Sequence, residues 1–571
     1  MSITQDEYRR ARFISEPAAQ AILDAIRPSN RGRKTLDPVI FLTGMQLSID
    51  KYNVATVTKI FHVLTHDLTR DDQWDLGVRT FNKNGKEDVI TKHDLYALTK
   101  RITKMLDFTR HRAALLSDEE RMLRRDQVDG IVAAILEPTL IPRPTGSDSY
   151  ALDGTAIWAS ERSKTKIPSG PAPDPVHEED QLNVKIDQLD QTQLQNPESN
   201  DGAHSPKPGK GHHGESDADF GAKTDHDGTR KYYFGYDVEA LVRVPALLPD
   251  GKKSRAEPNL LEALVVIPGG RDIVNPCLRM FDRMMAEGKT IRTILVDRHY
   301  SYKGFDRWMN ELMKRGIEQV ADMHSNDQGF RDWDGMKFAA GWAHCPSTPD
   351  RLGTIPTLGP TATPNEIAVF NALINERRTY AAKRVNTLDQ DGKIRFGCPA
   401  LDGSVGCPLR AGTMATAIAA QLPVISNPPA EIGRPSICTQ QTVQIQVSTD
   451  PQKRAMKMYQ RSYWGSKVWQ STYARRTYVE GWFGVLKNTT ATGFHRGSHQ
   501  FMGLPLVSLA LAMAAATTNL RLLRTWHAET SLGDSSHPLL QPDKPHYGFA
   551  EITEEESANL LFKQLATRIA A

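Results

Sequence analysis

With five cysteines in 571 residues, the chain has no basis for a disulfide scaffold. It also lacks a dominant charge. Its 71 Lys and Arg stand against 68 Asp and Glu, a net +3 with His neutral, so the chain as a whole gives little reason to expect an anionic partner. The start has no charged n-region followed by an apolar stretch and a small-residue cleavage site, which predicts a cytoplasmic protein. The longest uncharged run, residues 501–520, is interspersed with Ala, Thr and Ser and is followed by Arg521 and Arg524. That composition predicts a buried core helix and no membrane contact. No internal repeat is present, and the length leaves room for three or four domains.

One local scarcity is more telling. Residues 451–500 hold nine Lys or Arg and nine aromatic side chains but a single acid, Glu480, a mix suited to phosphate contact and base stacking. Within it, YARRTYVEGWFGVLKN puts Tyr473, Arg476, Glu480 and Lys487 at helical offsets that fall within roughly a 60° arc. Val479, Trp482 and Leu486 form an apolar stripe opposite, which would press on a sheet and turn the polar face to a cleft. A lone carboxylate among fixed cations suits a place where metal ions meet phosphate oxygens. The plainer alternative, a solvated surface pair of Glu480 with Arg476, is worth only tenths of a kcal/mol.

Along the chain, residues 1–140 read as a helical region with basic segments around Arg27, Arg31, Arg33 and Lys34 and along Lys100, Arg101 and Lys104. A DNA-end-binding role and a mere packing role stand side by side for it. Residues 141–163 open an α/β core with SYALDGTAIWAS, a strand carrying Asp153. Residues 164–225 are polar, acidic and poor in large apolar side chains, which predicts a disordered loop. Order resumes over 226–325 with the hairpin KYYFGYDVEALVRV and NLLEALVVIPGG. A helix, the strand TIRTILVDRHY ending at Asp297, a second helix and the short strand EQVADMH follow. Residues 326–460 read as an insertion of loops and short helical pieces, residues 461–526 return to the core, and 527–571 read as a polar tail ending in an amphipathic helix.

A strand aspartate, a second aspartate ending a later strand, and a helix glutamate after an insertion is the order of the acidic triad in ribonuclease-H-like folds. The chain resembles bacterial insertion-sequence DDE transposases, in the branch whose third motif is Y, two residues, R, three residues, E, six residues, K. Tyr473, Arg476, Glu480 and Lys487 match it without a gap, and LDGTAIWA and ILVDRHY are similar to the first two motifs. The likeness covers roughly residues 145–160, 215–325 and 460–525. It implies a ribonuclease-H-like mixed-sheet core with catalytic, metal-holding Asp153, Asp297 and Glu480, served by two Mg²⁺ or Mn²⁺ ions. It implies DNA contact by Tyr473, Arg476 and Lys487, and cleavage and strand transfer on double-stranded DNA at terminal inverted repeats and target, by a homodimer associated with the nucleoid. Two rivals remain: an inactive or domesticated DNA-binding relative, and a nuclease of the same fold that never joins strands.

Weaker signals surround this set. His495 and Arg496, with Phe494, lie in a turn after the helix, where DNA contact and a plain loop role are evenly matched. Trp333 and Trp342 could stack on a flipped base, against the stronger reading of core packing. Cys345, Cys398, Cys407 and Cys438 could hold Zn²⁺, but gaps of 53, 9 and 31 residues lack paired C-x-x-C knuckles, so reduced structural cysteines are the stronger reading.

Overall fold

The computed structural model describes residues 3–26, 35–109, 115–144, 146–160, 217–224, 230–323, 327–359, 361–495 and 497–543. The basic segment at Arg27 to Lys34, most of the 164–225 tract, Arg496 and the expected C-terminal amphipathic helix lie outside them.

A six-stranded mixed sheet forms the centre: β1 (Ser149–Trp158), β2 (Asp219–Thr224), β3 (Arg230–Arg243), β4 (Leu261–Pro268), β5 (Thr293–Val296) and β6 (Glu318–Ala321). Its order is β4-β3-β1-β5-β6, with β2 also pairing the first part of β3. β3 runs antiparallel to both β4 and β1, whereas β1, β5 and β6 are mutually parallel neighbours. The alternating, β-branched run in DVEALVRV makes β3 a central strand, and its 14 residues serve β2 with the first part and β4 with the second. The parallel pairs need crossovers, supplied by α-helix Val274–Ala286 between β4 and β5 and by the helical segments Phe305–Met309 and Asn310–Lys314 between β5 and β6.

β2 corrects the disordered-loop reading for its last residues. DFGAKT carries few apolar side chains, and composition therefore misses it. Its order comes from pairing with β3 and from the contact of Phe220 with Phe234, ring centroids 5.3 Å apart. Just before it, buried Asp217 accepts from the backbone N–H of Leu504 and so ties this edge to the last long helix.

That helix, Leu504–Thr530, runs four residues past the expected end at 526. Its most apolar 18-residue stretch is 89% buried, which is how a helix apolar on all sides satisfies itself inside a protein. The N-terminal helices Pro38–Tyr52, Lys92–Leu106 and Asp118–Leu136 pack against it, Gln5–Ile26 packs on those three, and all share one continuous apolar core with the sheet. Part of the expected polar tail is also packed: Leu539 and Leu540 are buried, and Asp543 pairs with Arg524 at 3.0 Å.

The 326–460 region holds more regular structure than its sequence suggests. Two three-stranded antiparallel sheets stand there, one from Arg331–Trp333, Met336–Ala339 and Trp342–His344, the other from Lys383–Arg384, Lys393–Gly397 and Thr442–Gln446. Strands of two to five residues are too short to show a period.

Candidate active site

β1 and β5 bring the two aspartates together. The last registered pair between these parallel strands is Ala151 with Leu295, and Asp153 and Asp297 each stand two residues further on. Equal steps along neighbouring parallel strands leave both side chains on the same face. Asp297 also caps the following turn, accepting from the His299 N–H at 2.8 Å. Arg298 pairs instead with Asp322 at 2.6 Å, leaving Asp297 to the cleft.

Glu480 comes from helix Thr477–Lys487, whose buried Val479, Trp482, Phe483 and Leu486 press it onto β1 and β3. One difference from the expected unbroken helix is a 3₁₀ turn at Ala474–Arg476, which places Tyr473 at the end of the preceding helix Lys467–Tyr473. The cause is Arg475, which is buried and donates to the Pro245 carbonyl at 2.9 Å. Arg476 is thereby aimed at the cleft. Its Nη1 lies 3.3 Å from Asp153 Oδ2 while Nη2 donates to Glu480. Lys487 donates to Thr155 Oγ1 on β1, and Tyr473 stacks on Trp469 at 4.8 Å and 10°, which fixes its phenol beside Arg476. Asp153, Asp297, Glu480, Arg476, Lys487 and Tyr473 therefore stand in one cluster.

Electrostatics mark the same spot. Burial, then the neighbouring charge of Asp297, pushes the Asp153 carboxyl up to about 6 against the pull of Arg476. Burial likewise raises Asp297, opposed first by Arg476 and then by backbone N–H groups. Burial works against the Arg476 charge, yet Tyr473, Asp153 and Glu480 around it hold its pKa above the usual value. Burial takes the Tyr473 phenol up to about 12. A cluster of acids that resist ionisation, steadied by one guanidinium, is a functional-site signature with a physical cause.

A fourth acid was missed by reading the sequence. Glu239 on β3 lies opposite Gly154, is fully enclosed, and accepts from the Tyr300 hydroxyl. A Cβ on Gly154 would stand 2.7 Å from Glu239 Oε1, so glycine next to Asp153 is what lets this carboxyl in. Burial, with the charges of Asp153, Asp237 and Asp297, pushes Glu239 up to about 8 despite the Tyr300 bond. The available signal was an acid between Val238 and the apolar run Ala240, Leu241 and Val242.

This acid binds its proton more tightly in the folded chain than in the unfolded one. The stability it confers is complete below 4.5 and is lost as pH rises through about 8. Glu239→Gln keeps an acceptor for Tyr300 and removes the charge. The variant should match the parent near pH 5 and exceed it by roughly 3 kcal/mol near pH 8, read from urea melts at both pH values. Equal differences at the two pH values would overturn this account.

The secondary set divides. His495 is exposed, with Nδ1 on the Gly493 carbonyl, whereas Phe494 is buried and stacked on His499 at 5.3 Å. Trp342 is occupied by packing, with the Arg384 guanidinium 3.4 Å from its ring centre and Tyr463 at 5.2 Å, and Trp333 packs on the core of the insertion. Among the described residues, no group of three or more His, Cys, Asp or Glu side chains is placed so as to hold a metal ion. At the cleft, Arg476 stands between Asp153 and Glu480.

Comparison of the chain with protein-family models, with curated proteins and with solved structures gives no match.

Proposed function

We propose that the chain is a DDE-type DNA transposase that cleaves and rejoins DNA at the ends of its own mobile element. The observation that carries this reading is the meeting of Asp153 and Asp297, side by side on parallel strands, with Glu480 from a helix, around the guanidinium of Arg476. The strand order β4-β3-β1-β5-β6, with its antiparallel half and parallel half, supports a ribonuclease-H-like core. The cation-rich composition of residues 451–500 supports an anionic polymer as substrate.

The donor set fits Mg²⁺ or Mn²⁺: carboxylate oxygens only, two of them on acids that burial keeps from ionising easily and that a divalent cation would favour in their charged form. Asp153, Asp297 and Glu480 would hold the ions. When bound, the ions supply Lewis-acid stabilisation of the phosphorus centre and of the oxygens entering and leaving it.

The chain's own residues do the rest. Arg476, which neutralises the acids here, can turn its fork to a phosphate once cations take over that task. Lys487, anchored near Thr155 beside the aspartates, sets a second phosphate contact, and the stacked Tyr473 offers a hydroxyl donor. Lys100 and Lys104, on the wall of a cavity of about 860 Å³ between helix Lys92–Leu106 and residues 500–502, supply a further basic surface for double-stranded DNA. Two ends must be joined in one event, which a homodimer would serve.

The test uses DNA from the inverted repeats flanking the gene, pre-cut to leave a 3′-hydroxyl, with a supercoiled plasmid and Mn²⁺. Covalently joined products are expected. Shortened strands without joining would make the protein a nuclease, and no change to either DNA would remove the enzyme reading.

A further inference from the structure

Four of the five cysteines line one small cavity, although they lie at positions 345, 398, 407 and 438. Each arrives on a different piece of the 326–460 region. Cys345 follows strand Trp342–His344, Cys398 follows strand Lys393–Gly397, Cys407 sits in the next loop and Cys438 in the helical turn Ser436–Thr439. Together they line an enclosed cavity of about 10 Å³, whose other walls include apolar Val405, Ile425 and Ile437. That is the room of one small particle, and the apolar walls give a water little to bond to.

The turns around the thiols are built alike. Cys345, Cys398 and Cys407 each precede proline, and each carbonyl accepts from the N–H three residues on, at 3.0, 3.1 and 3.0 Å. In two of these turns a backbone N–H points at the sulfur, from Ser347 to Cys345 and from Leu409 to Cys407. Amide donors aimed at sulfur suit a ligand atom carrying negative charge. Arg410, held by the carbonyls of Ile437 and Gln440, and Arg434 place positive charge beside Cys407 and Cys438.

We propose that Cys345, Cys398, Cys407 and Cys438 form a structural, four-thiolate Zn²⁺ site that staples the insertion. Four soft sulfur donors around one small enclosed space match the closed tetrahedral coordination zinc takes in structural sites. Binding replaces four S–H bonds by four S–Zn bonds, releases four protons to solvent and leaves a site of charge −2, which Arg410 and Arg434 offset. Among the described residues no group of three or more His, Cys, Asp or Glu side chains is already set as a metal site, so zinc would have to draw the four thiols inward around the cavity they line. The staple would tie together the loops that follow these strands: the buried apolar cluster at the thiols is Leu352, Tyr380, Ala400, Val405 and Ile425 with two of the cysteines, separate from the larger cluster in which the two small sheets share Phe338 and Phe396. The proposal stands independently of the transposase reading.

Metal analysis of the full chain, purified without chelator, should find about one zinc per chain. Cys398→Ser and Cys438→Ser should each lower zinc content at least roughly tenfold, while Cys277→Ser, which changes the cysteine buried in the main core, should keep it. Exchange with Co²⁺ should give the visible absorption of a tetrahedral thiolate site. A soluble parent chain with less than roughly a tenth of an equivalent, unchanged after incubation with ZnCl₂, would overturn the proposal whatever the variants do. So would alkylation mass spectra showing these four cysteines paired as disulfides.

Discussion

Asp297→Asn should abolish DNA cleavage while leaving the fold intact, with the rate down on the order of 10³-fold or more. The amide keeps an acceptor for the His299 N–H, so the turn after β5 stays capped. What it loses is one of the formal charges that would hold a divalent ion next to Asp153. Removing a buried acid that resists ionisation should not destabilise the metal-free chain, and it lessens repulsion of phosphate. Binding to double-stranded DNA should therefore persist or tighten, which separates loss of chemistry from loss of substrate. Gel assays of strand cleavage, run beside mobility shifts on the same DNA with Mg²⁺ or Mn²⁺, read both quantities. Identical cleavage by variant and parent would take the chemistry away from this site, and shifted but uncleaved DNA with both would leave a DNA-binding protein.

Asn519→Leu should cost roughly 4 kcal/mol or more of folding stability, although residue 519 is not one of the expected site residues. Its fully buried amide accepts from the Leu261 N–H at 2.9 Å and the Trp482 Nε1 at 3.1 Å, and donates to the Leu261 carbonyl at 2.9 Å and Thr139 Oγ1 at 3.0 Å. One side chain thus joins the long last helix to the start of β4, to the helix bearing Glu480 and to the end of the N-terminal helical region. Leucine of similar volume would take this partner from the buried Leu261 N–H and carbonyl and from the Trp482 indole N–H, while Thr139 Oγ1 keeps its bond to the Leu136 carbonyl. The loss should appear as a lower urea midpoint. Weakened cleavage should accompany it at temperatures where the variant is still folded, because Trp482 helps seat the helix that carries Glu480. A midpoint within about 0.5 kcal/mol of the parent would show that these bonds are replaced by water.

Much of the cleft was legible. Asp153 and Asp297 lie in runs whose β-branched content announces strands, and the spacing of Arg476, Glu480 and Lys487 announces a helix face. Glu239 was not legible, because an acid in an apolar strand is noticed only when its cross-strand neighbour, Gly154, is known. Nor was the 3₁₀ turn before Thr477, which depends on Arg475 finding the Pro245 carbonyl from a distant loop. β2 was hidden for a related reason: its order is supplied by a partner strand rather than by its own side chains.

Local pattern alone settled which segments are strand or helix in the core and which side chains could face a cleft, since those follow from periods of two and 3.6 residues along the chain. Only the folded chain decided that the aspartates stand abreast with Arg476 between Asp153 and Glu480, and that four scattered cysteines share one cavity. Such meetings depend on strand order and loop paths, which are set by burial summed over the whole molecule and leave no mark at any one position.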